Sequence, residues 1–403
     1  MTTSVLIALV VIVGWSLVAG RLARFRISGP LLMVTAGIAI GLSTRNDIGQ
    51  TLNTVAAEKV VELILAVLLF VDATEVKGGY FAGERRTSVR LLLVAMPLSI
   101  GAALLAGAAL LPSLSIGVLL VIACIAIPID LAPTSSMVRD ARIPVRVRNV
   151  LNIESGYNDG IVAPLFIFAL TLAGDHSHAE GPVDALETAV PSAVYAILAG
   201  GVVGVVAAWL TNQSMARNFA TAQSIRISLV IFPLLAYGSA TELHGNGFVA
   251  AFICGIAYKA ARSTPPAESE LSLVDDVGVL AALAMWFVFG CTAVLVLEFG
   301  FVWQIIVLAV AALTVLRIVP VYLSLLGTTL SRTDRLVIGM LGPRGTASIV
   351  FGLLAYNALD GRIANDTLYA MTVTVLGSVV IHGIGSSLIA QWYERRSIPS
   401  SAQ

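Results

Sequence analysis

A chain of 403 residues that is 58% hydrophobic and only 12% charged is not an ordinary soluble domain, since such domains carry about 25% charged residues. Its mean hydropathy of +0.92 puts most of it in a lipid bilayer. The 24 basic and 24 acidic residues balance to zero, so no charge excess draws it to nucleic acid.

A membrane-spanning helix takes about 20 apolar residues. About thirteen stretches qualify: 4–20, 28–44, 58–75, 88–111, 115–138, 147–173, 188–211, 222–240, 245–260, 277–297, 302–326, 334–357 and 365–391. The first stretch has no basic segment before it and reads as a retained helix, not a cleaved signal. The stretches 28–44 and 245–260 are the shortest and contain glycine. No soluble domain is expected at either end. Cys124, Cys254 and Cys291 fall in apolar runs without metal-ligand spacing and read as small buried hydrophobes.

Loop charge orients these spans. With the N-terminus outside, the inside loops and tail hold Arg21, Arg24, Arg26, Lys77, Arg85, Arg86, Arg90, Arg139, Arg142, Arg146, Arg148, Arg217, Arg226, Lys259, Arg262, Arg332, Arg335, Arg395 and Arg396. The outside loops keep Arg45, Lys59 and Arg362, and only Arg317 and Arg344 fall within spans. A missed or extra helix would scramble this alternation. The expected topology is therefore all-α, with about thirteen spans and a cytoplasmic C-terminus.

Two aspartates lie deep in adjacent spans. Asp130 precedes the inside loop 139–148 and Asp159 follows it. At about 1.5 Å per residue both lie roughly 14–17 Å from the inner surface, the middle of a ~30 Å hydrocarbon core. A charge at that depth costs from about 2.5 to more than 10 kcal/mol, so it marks function or a neutralising partner. The fifth span is also interrupted, with Pro128 and Pro133 flanking Asp130. Each proline removes a donor and frees a carbonyl one turn earlier, and a freed carbonyl beside a carboxylate suits a hard cation. A simple kink is the other reading.

On the sixth span Ser155 and Asp159 are four residues apart and share a face. Facing Asp130, they would make an oxygen-lined site. Asn158 projects about 100° from Asp159, in a position to hydrogen-bond to the broken backbone of span five. Glu154 points elsewhere and needs its own partner. Arg317 and Arg344 are the candidates, because a permanently charged guanidinium at this depth pairs with a carboxylate or with helix carbonyls. Arg344 sits in the second interrupted span, within Gly342-Pro343-Arg344-Gly345. Spans five and twelve run in opposite directions. Two Gly/Pro-interrupted segments in inverted halves point to the binding site of a secondary transporter. Asp72, nearer the inner surface, is expected to line the cytoplasmic entrance or to be a snorkelling acid at a helix end.

These residues carry a resemblance. Glu154-Ser155-Gly156-Tyr157-Asn158-Asp159-Gly160 resembles the E-S-x-x-N-D segment of the sodium/proton exchanger branch of the cation:proton antiporters, the NhaP-like proteins. Leu69-Phe70-Val71-Asp72-Ala73, the break at Asp130, Arg148-Asn149-Val150-Leu151, Arg317 and Gly342-Pro343-Arg344-Gly345 extend it over nearly the whole chain. The resemblance implies a homodimer in the cell (inner) membrane. Each thirteen-helix protomer would have a core (about 88–173 and 302–391) moving against dimerisation helices (about 4–75 and 188–297). It implies that Asp159 is the shared carboxylate for cation and proton, with Asp130, Ser155, Asn158 and the Ile129 carbonyl beside it. Glu154 would pair with Arg317, and Arg344 would steady the crossed broken helices. The Asn158-Asp159 pair resembles the electroneutral class. One departure stands out: the family carries Thr-Asp-Pro where this chain has Ile129-Asp130-Leu131, leaving residue 129 only its backbone carbonyl as a ligand.

The expected activity is exchange of a monovalent cation (Na+, with Li+ and K+ as alternatives) for H+, without cofactor. An intramembrane aspartyl protease also uses two membrane aspartates, but its Gly-x-Gly-Asp element is missing here. A channel or organic-anion carrier of similar design is the other alternative. An anion carrier would be expected to present basic groups where this chain presents carboxylates.

Overall fold

In a computed structural model of the chain, the residues described are 3–24, 28–43, 54–75, 83–131, 140, 142–174 and 182–397. Among them the chain is helical, without strands. The helices are α1 (Thr3–Arg24), α2 (Gly29–Ser43), α3 (Val55–Glu75), α4 (Arg85–Leu110), α5 (Ile116–Ala126), α6 (Val145–Ala173), α7 (Pro182–Ala216), α8 (Ala222–Glu242), α9 (Gly247–Ala261), α10 (Glu268–Ala293), α11 (Trp303–Leu313), α12 (Val315–Ser324), α13 (Arg332–Met340), α14 (Thr346–Ala358) and α15 (Gly361–Ser397). Eight helical segments among the described residues are long and apolar enough to cross a membrane, and four shorter apolar helices accompany them. Every predicted span is helical over all or part of its length.

Local signals explain several ends. Ser115 caps α5 by accepting the Val118 N–H, and Asn246 caps α9 by accepting two N–H groups. Reciprocal capping boxes open α8 (Thr221 with Ser224) and α13 (Ser331 with Asp334). Gly174 closes α6 at φ 94°, a left-handed conformation that glycine adopts without strain.

Interruptions matter more than the helices. α5 stops at Ala126, and 127–131 run on without regular structure. Pro128 accounts for the stop, since it offers no N–H to the preceding turn. α13 and α14 are separated by the irregular stretch 341–345, which contains Pro343. α11 and α12 form one apolar rod broken at Thr314, whose φ and ψ are −125° and −98°. α4 contains a π turn, Leu91–Ala95, just before Pro97, where the proline ring opposes the carbonyl one turn back. α10 begins at Glu268, earlier than the hydropathy reading of 277–297, because the acids of its first turns hide a helix that follows Pro265-Pro266.

One apolar cluster joins α3 (Phe70, Val71), α7 (Ala196, Ala208), α8 (Leu229, Ala236), α9 (Val249, Cys254) and α10 (Leu271, Val274). Another surrounds the breaks. It brings Ile129 and Leu131 against Leu91 of α4, Val147 and Leu151 of α6, Val321 of α12 and Val337 of α13. A larger core contains Leu65, Tyr157, Phe166, Phe252, Trp286 and Phe351. Cys124, Cys254 and Cys291 are buried and unbridged.

Candidate ion site at the crossing of two broken helices

The two irregular stretches cross and are stitched together through Asp130. Its N–H donates to the Pro343 carbonyl at 2.8 Å. Its Oδ2 accepts the Thr346 N–H at 2.7 Å. Thr346 opens α14, so Asp130 supplies a carboxylate to the helix N-terminus from across the crossing, where unpaired N–H groups and the macrodipole favour negative charge. A Cβ on Gly345 would meet the Asp130 carboxyl, and one on Gly342 would meet the Arg317 side chain. Only glycine admits the crossing this closely.

α6 presents its polar stretch to this crossing. Asn158 Nδ2 donates to the Ile129 carbonyl at 2.7 Å. The Leu131 N–H donates to Ser155 Oγ at 3.1 Å. Two side chains one turn apart thus hold the backbone on both sides of Asp130. Both bonds are to main chain, so Ile129 and Leu131 keep them while burying apolar side chains (0% and 6% exposed). The departure at these positions therefore loses no hydrogen bond that this arrangement uses. Pro133 and Thr134 lie outside the described residues.

Asp159 is buried, and its Oδ1 has no hydrogen-bond partner among the described residues. A buried, unmatched carboxylate oxygen is costly unless something transient satisfies it. The charges acting on it are those of Asp130 and Arg344. Asp159 and Asp130 line a cavity of about 120 Å³ with Asp72 and Leu68 of α3, Asp275 and Gly278 of α10, and Thr346. This is several times the probe volume of roughly 10–15 Å³ that one water needs.

The two membrane arginines take different partners. Arg317 forms a two-armed pair with Glu154, at 2.7 Å (Nη1 to Oε1) and 3.1 Å (Nη2 to Oε2), and Nη2 also reaches the Ile338 carbonyl at 3.3 Å. Both residues are 3% exposed. Arg344 is completely buried, and its guanidinium donates to three main-chain carbonyls. Nε reaches Ala126 at 2.5 Å, Nη2 reaches Ala312 at 3.1 Å, and Nη1 reaches Gly342. These carbonyls belong to the C-terminal end of α5, the end of α11 and the break after α13. One guanidinium thus serves three interrupted helices at their electronegative ends. Its own N–H donates to Ser378 Oγ at 2.7 Å, and the Ser378 hydroxyl contacts His382 Nδ1 at 3.2 Å.

The structure therefore brings Asp159, Asp130, Ser155, Asn158 and the Ile129 carbonyl together, with Asp72 on the same cavity. Glu154 and Arg317 stand apart as a pair. Sequence reasoning missed Asp275, Ser378, and the Ala312 carbonyl freed by the break at Thr314. Pro265-Pro266 ahead of α10 was a usable signal for Asp275. The other two carry no distinguishing local pattern.

Crossed helix breaks around buried carboxylates define a secondary-transporter architecture. Residues 5–392 match the family described as sodium/hydrogen exchanger, transmembrane, and the chain belongs to it. An Na+/H+ antiporter of Schizosaccharomyces pombe is 24% identical over 372 residues, covering 84% of this chain and 78% of that protein. The K+/H+ antiporter NhaP of Alkalimonas amylolytica is 26% identical over 398 residues, covering 93% of this chain and 64% of its own length. Among solved structures, the sodium proton antiporter MjNhaP1 from Methanocaldococcus jannaschii aligns with a TM-score of 0.76 over 94% of this chain and 98% of that one. At 19% identity that likeness speaks for the fold.

Proposed function

We propose that the protein exchanges a monovalent cation for protons through one carboxylate, Asp159, which holds either ion but not both. One observation carries this reading: a buried Asp159 oxygen without a protein partner, on a cavity of water-admitting size shared with Asp130. An ionised carboxylate there is stabilised by a bound cation and a desolvated one by a proton. Asp130, Ser155 and the Ile129 carbonyl complete an oxygen-rich cradle for a dehydrated hard cation. Asn158 holds the Ile129 carbonyl in place and, being an amide, adds no further carboxylate to Asp130 and Asp159. An electroneutral exchange of one cation for one proton agrees with that. Relatives named for Na+ and for K+ leave the cargo as a monovalent cation.

Thirteen crossings with an outside N-terminus agree with the distribution of arginine across the loops. In the proposed cycle the group α4–α6 and α11–α15 moves against α1–α3 and α7–α10 only when Asp159 is neutralised by cation or proton. The homodimer and the cell-membrane location rest on the family resemblance. No cofactor enters the cycle, because downhill flux of one ion drives the other.

The test is proton movement in everted vesicles or proteoliposomes. Addition of Na+, Li+ or K+ collapses an imposed ΔpH for the wild type and not for Asp159→Asn. A wild type silent to all three cations from pH 6 to 9 would overturn the exchange reading. A response that depends on an imposed membrane potential would overturn electroneutrality alone.

A further inference from the structure

Buried threonines in these helices satisfy their hydroxyls locally. Thr74, Thr211, Thr292 and Thr367 each donate to the carbonyl three or four residues back, at 2.8–2.9 Å. Thr346, the first residue of α14, is also buried, yet its Oγ1 has no hydrogen-bond partner among the described residues. The helix break is the reason. The carbonyls three and four residues back belong to Pro343 and Gly342, in the irregular stretch, and they accept the Asp130 N–H and Arg344 Nη1 instead. Nor is the hydroxyl needed as a cap, because Asp130 Oδ2 accepts the Thr346 N–H at 2.7 Å. The Asp130 carboxylate also offsets the positive end of the α14 dipole, which would otherwise repel a cation. Thr346 lines the same cavity as Asp159 and Asp130. A threonine Oγ lies no more than about 3.7 Å from its own nitrogen, so this one stands within about 6.5 Å of Asp130 Oδ2. Asp159 Oδ1 on α6 and Thr346 Oγ1 on α14 are thus two buried oxygens without partners, on residues of one cavity. The unpartnered hydroxyls of Ser88 and Thr372 belong to residues that do not line it.

We propose that the Thr346 hydroxyl is a further ligand of the transported cation and sets which cation the site prefers. This role rests on the exchange reading. The cradle described above draws its oxygens from the α5 break and from α6, and Thr346 adds one from the second broken helix. The ion is then held from both sides of the crossing. A hydroxyl suits a site that carries cation and proton in turn, because it has two lone pairs and one rotatable proton. With the cation bound, its oxygen faces the ion and its proton turns to a carboxylate. With the proton bound, it is a neutral hydrogen-bond partner and adds no charge to the site. Ligand number and cavity size decide between hard cations. The smaller ion gives up the more tightly held water and depends more on each protein oxygen that replaces it, so loss of this hydroxyl penalises Na+ more than K+.

The experiment measures cation-evoked ΔpH in proteoliposomes of wild type, Thr346→Val, Thr346→Ser, Thr346→Ala and Thr372→Val, with Na+ and K+ as the probe ions. Thr346→Val keeps the branched shape and removes the oxygen. It is expected to raise the KM for Na+ by about tenfold and the KM for K+ by a smaller factor, with the maximal rate kept. Thr346→Ser, which keeps the hydroxyl, should retain the wild-type KM values and their ratio. Thr372→Val removes a buried, unpartnered hydroxyl away from the cavity and should match the wild type. A wild type that exchanges while Thr346→Val keeps both KM values, or raises them equally, would overturn this inference alone. So would an equal shift in Thr346→Ser or Thr372→Val, since the oxygen at this position would then not be the cause. If Thr346→Val does not reach the membrane, Thr346→Ala with the wild-type ratio of KM values would overturn it too. A wild type without exchange would overturn the inference together with the reading beneath it.

Discussion

The Glu154–Arg317 pair offers a double-mutant test of how the membrane interior treats charge. Both side chains are 3% exposed, and two hydrogen bonds of 2.7 and 3.1 Å join them. Replacing Glu154 with Leu leaves a guanidinium whose remaining contact is the 3.3 Å bond to the Ile338 carbonyl. Replacing Arg317 with Met leaves a buried carboxylate without the guanidinium that hydrogen-bonds to it. Breaking one side of a buried pair costs about 3–5 kcal/mol, while replacing both sides with apolar residues of similar volume is often neutral. Each single variant should therefore lose about 3–5 kcal/mol, and Glu154→Leu/Arg317→Met should regain more than half of the summed loss. Thermal inactivation in detergent, followed by size-exclusion profile, measures all four proteins. Additive losses would refute the reasoning, because the two residues would then act through separate partners.

Gly345→Ala places a methyl against the Asp130 carboxyl, which the α14 N-terminus and the Pro343 carbonyl hold in place. Overpacking of this kind costs about 1–3 kcal/mol, and transport should fall while the protein still reaches the membrane, as measured by cation-evoked ΔpH per unit of protein. Asn158→Ala removes the donor to the Ile129 carbonyl. A lost buried partner costs about 1–3 kcal/mol, and the cation KM should rise more than the maximal rate falls if this carbonyl belongs to the cradle. Arg344→Lys keeps the charge but has no planar fork to span the carbonyls of Ala126, Ala312 and Gly342. Its melting temperature should fall by several degrees relative to wild type in the same detergent assay.

The sequence made the polar set legible because charge in an apolar run is rare, and the breaks legible because Pro128, Pro343 and their glycines interrupt those runs. The spacing of Glu154, Ser155, Asn158 and Asp159 was enough to separate the face toward the crossing from the face toward an arginine. What stayed hidden was made by backbone or by context. Thr314 breaks its rod with no proline or glycine at the break, and the Ala312 carbonyl is fixed by an arginine far along the chain. Asp130 as a cap for α14 needed the crossing itself to be seen. The acids opening α10 lowered local hydropathy and moved the expected start past Asp275. Ile129-Asp130-Leu131 departs from the family pattern in side chains, yet the contacts there are to main chain.

The central claim is that one carboxylate serves both ions. Proton release on cation binding tests it most directly. Purified protein in weakly buffered detergent solution is titrated with Na+ and K+ while a pH indicator counts protons. Below the pKa of the site, the wild type should release one proton per cation bound, and its apparent cation affinity should weaken by about tenfold per unit fall in pH. Asp159→Asn should release none. Cation binding without proton release in the wild type, or undiminished release from Asp159→Asn, would contradict the account.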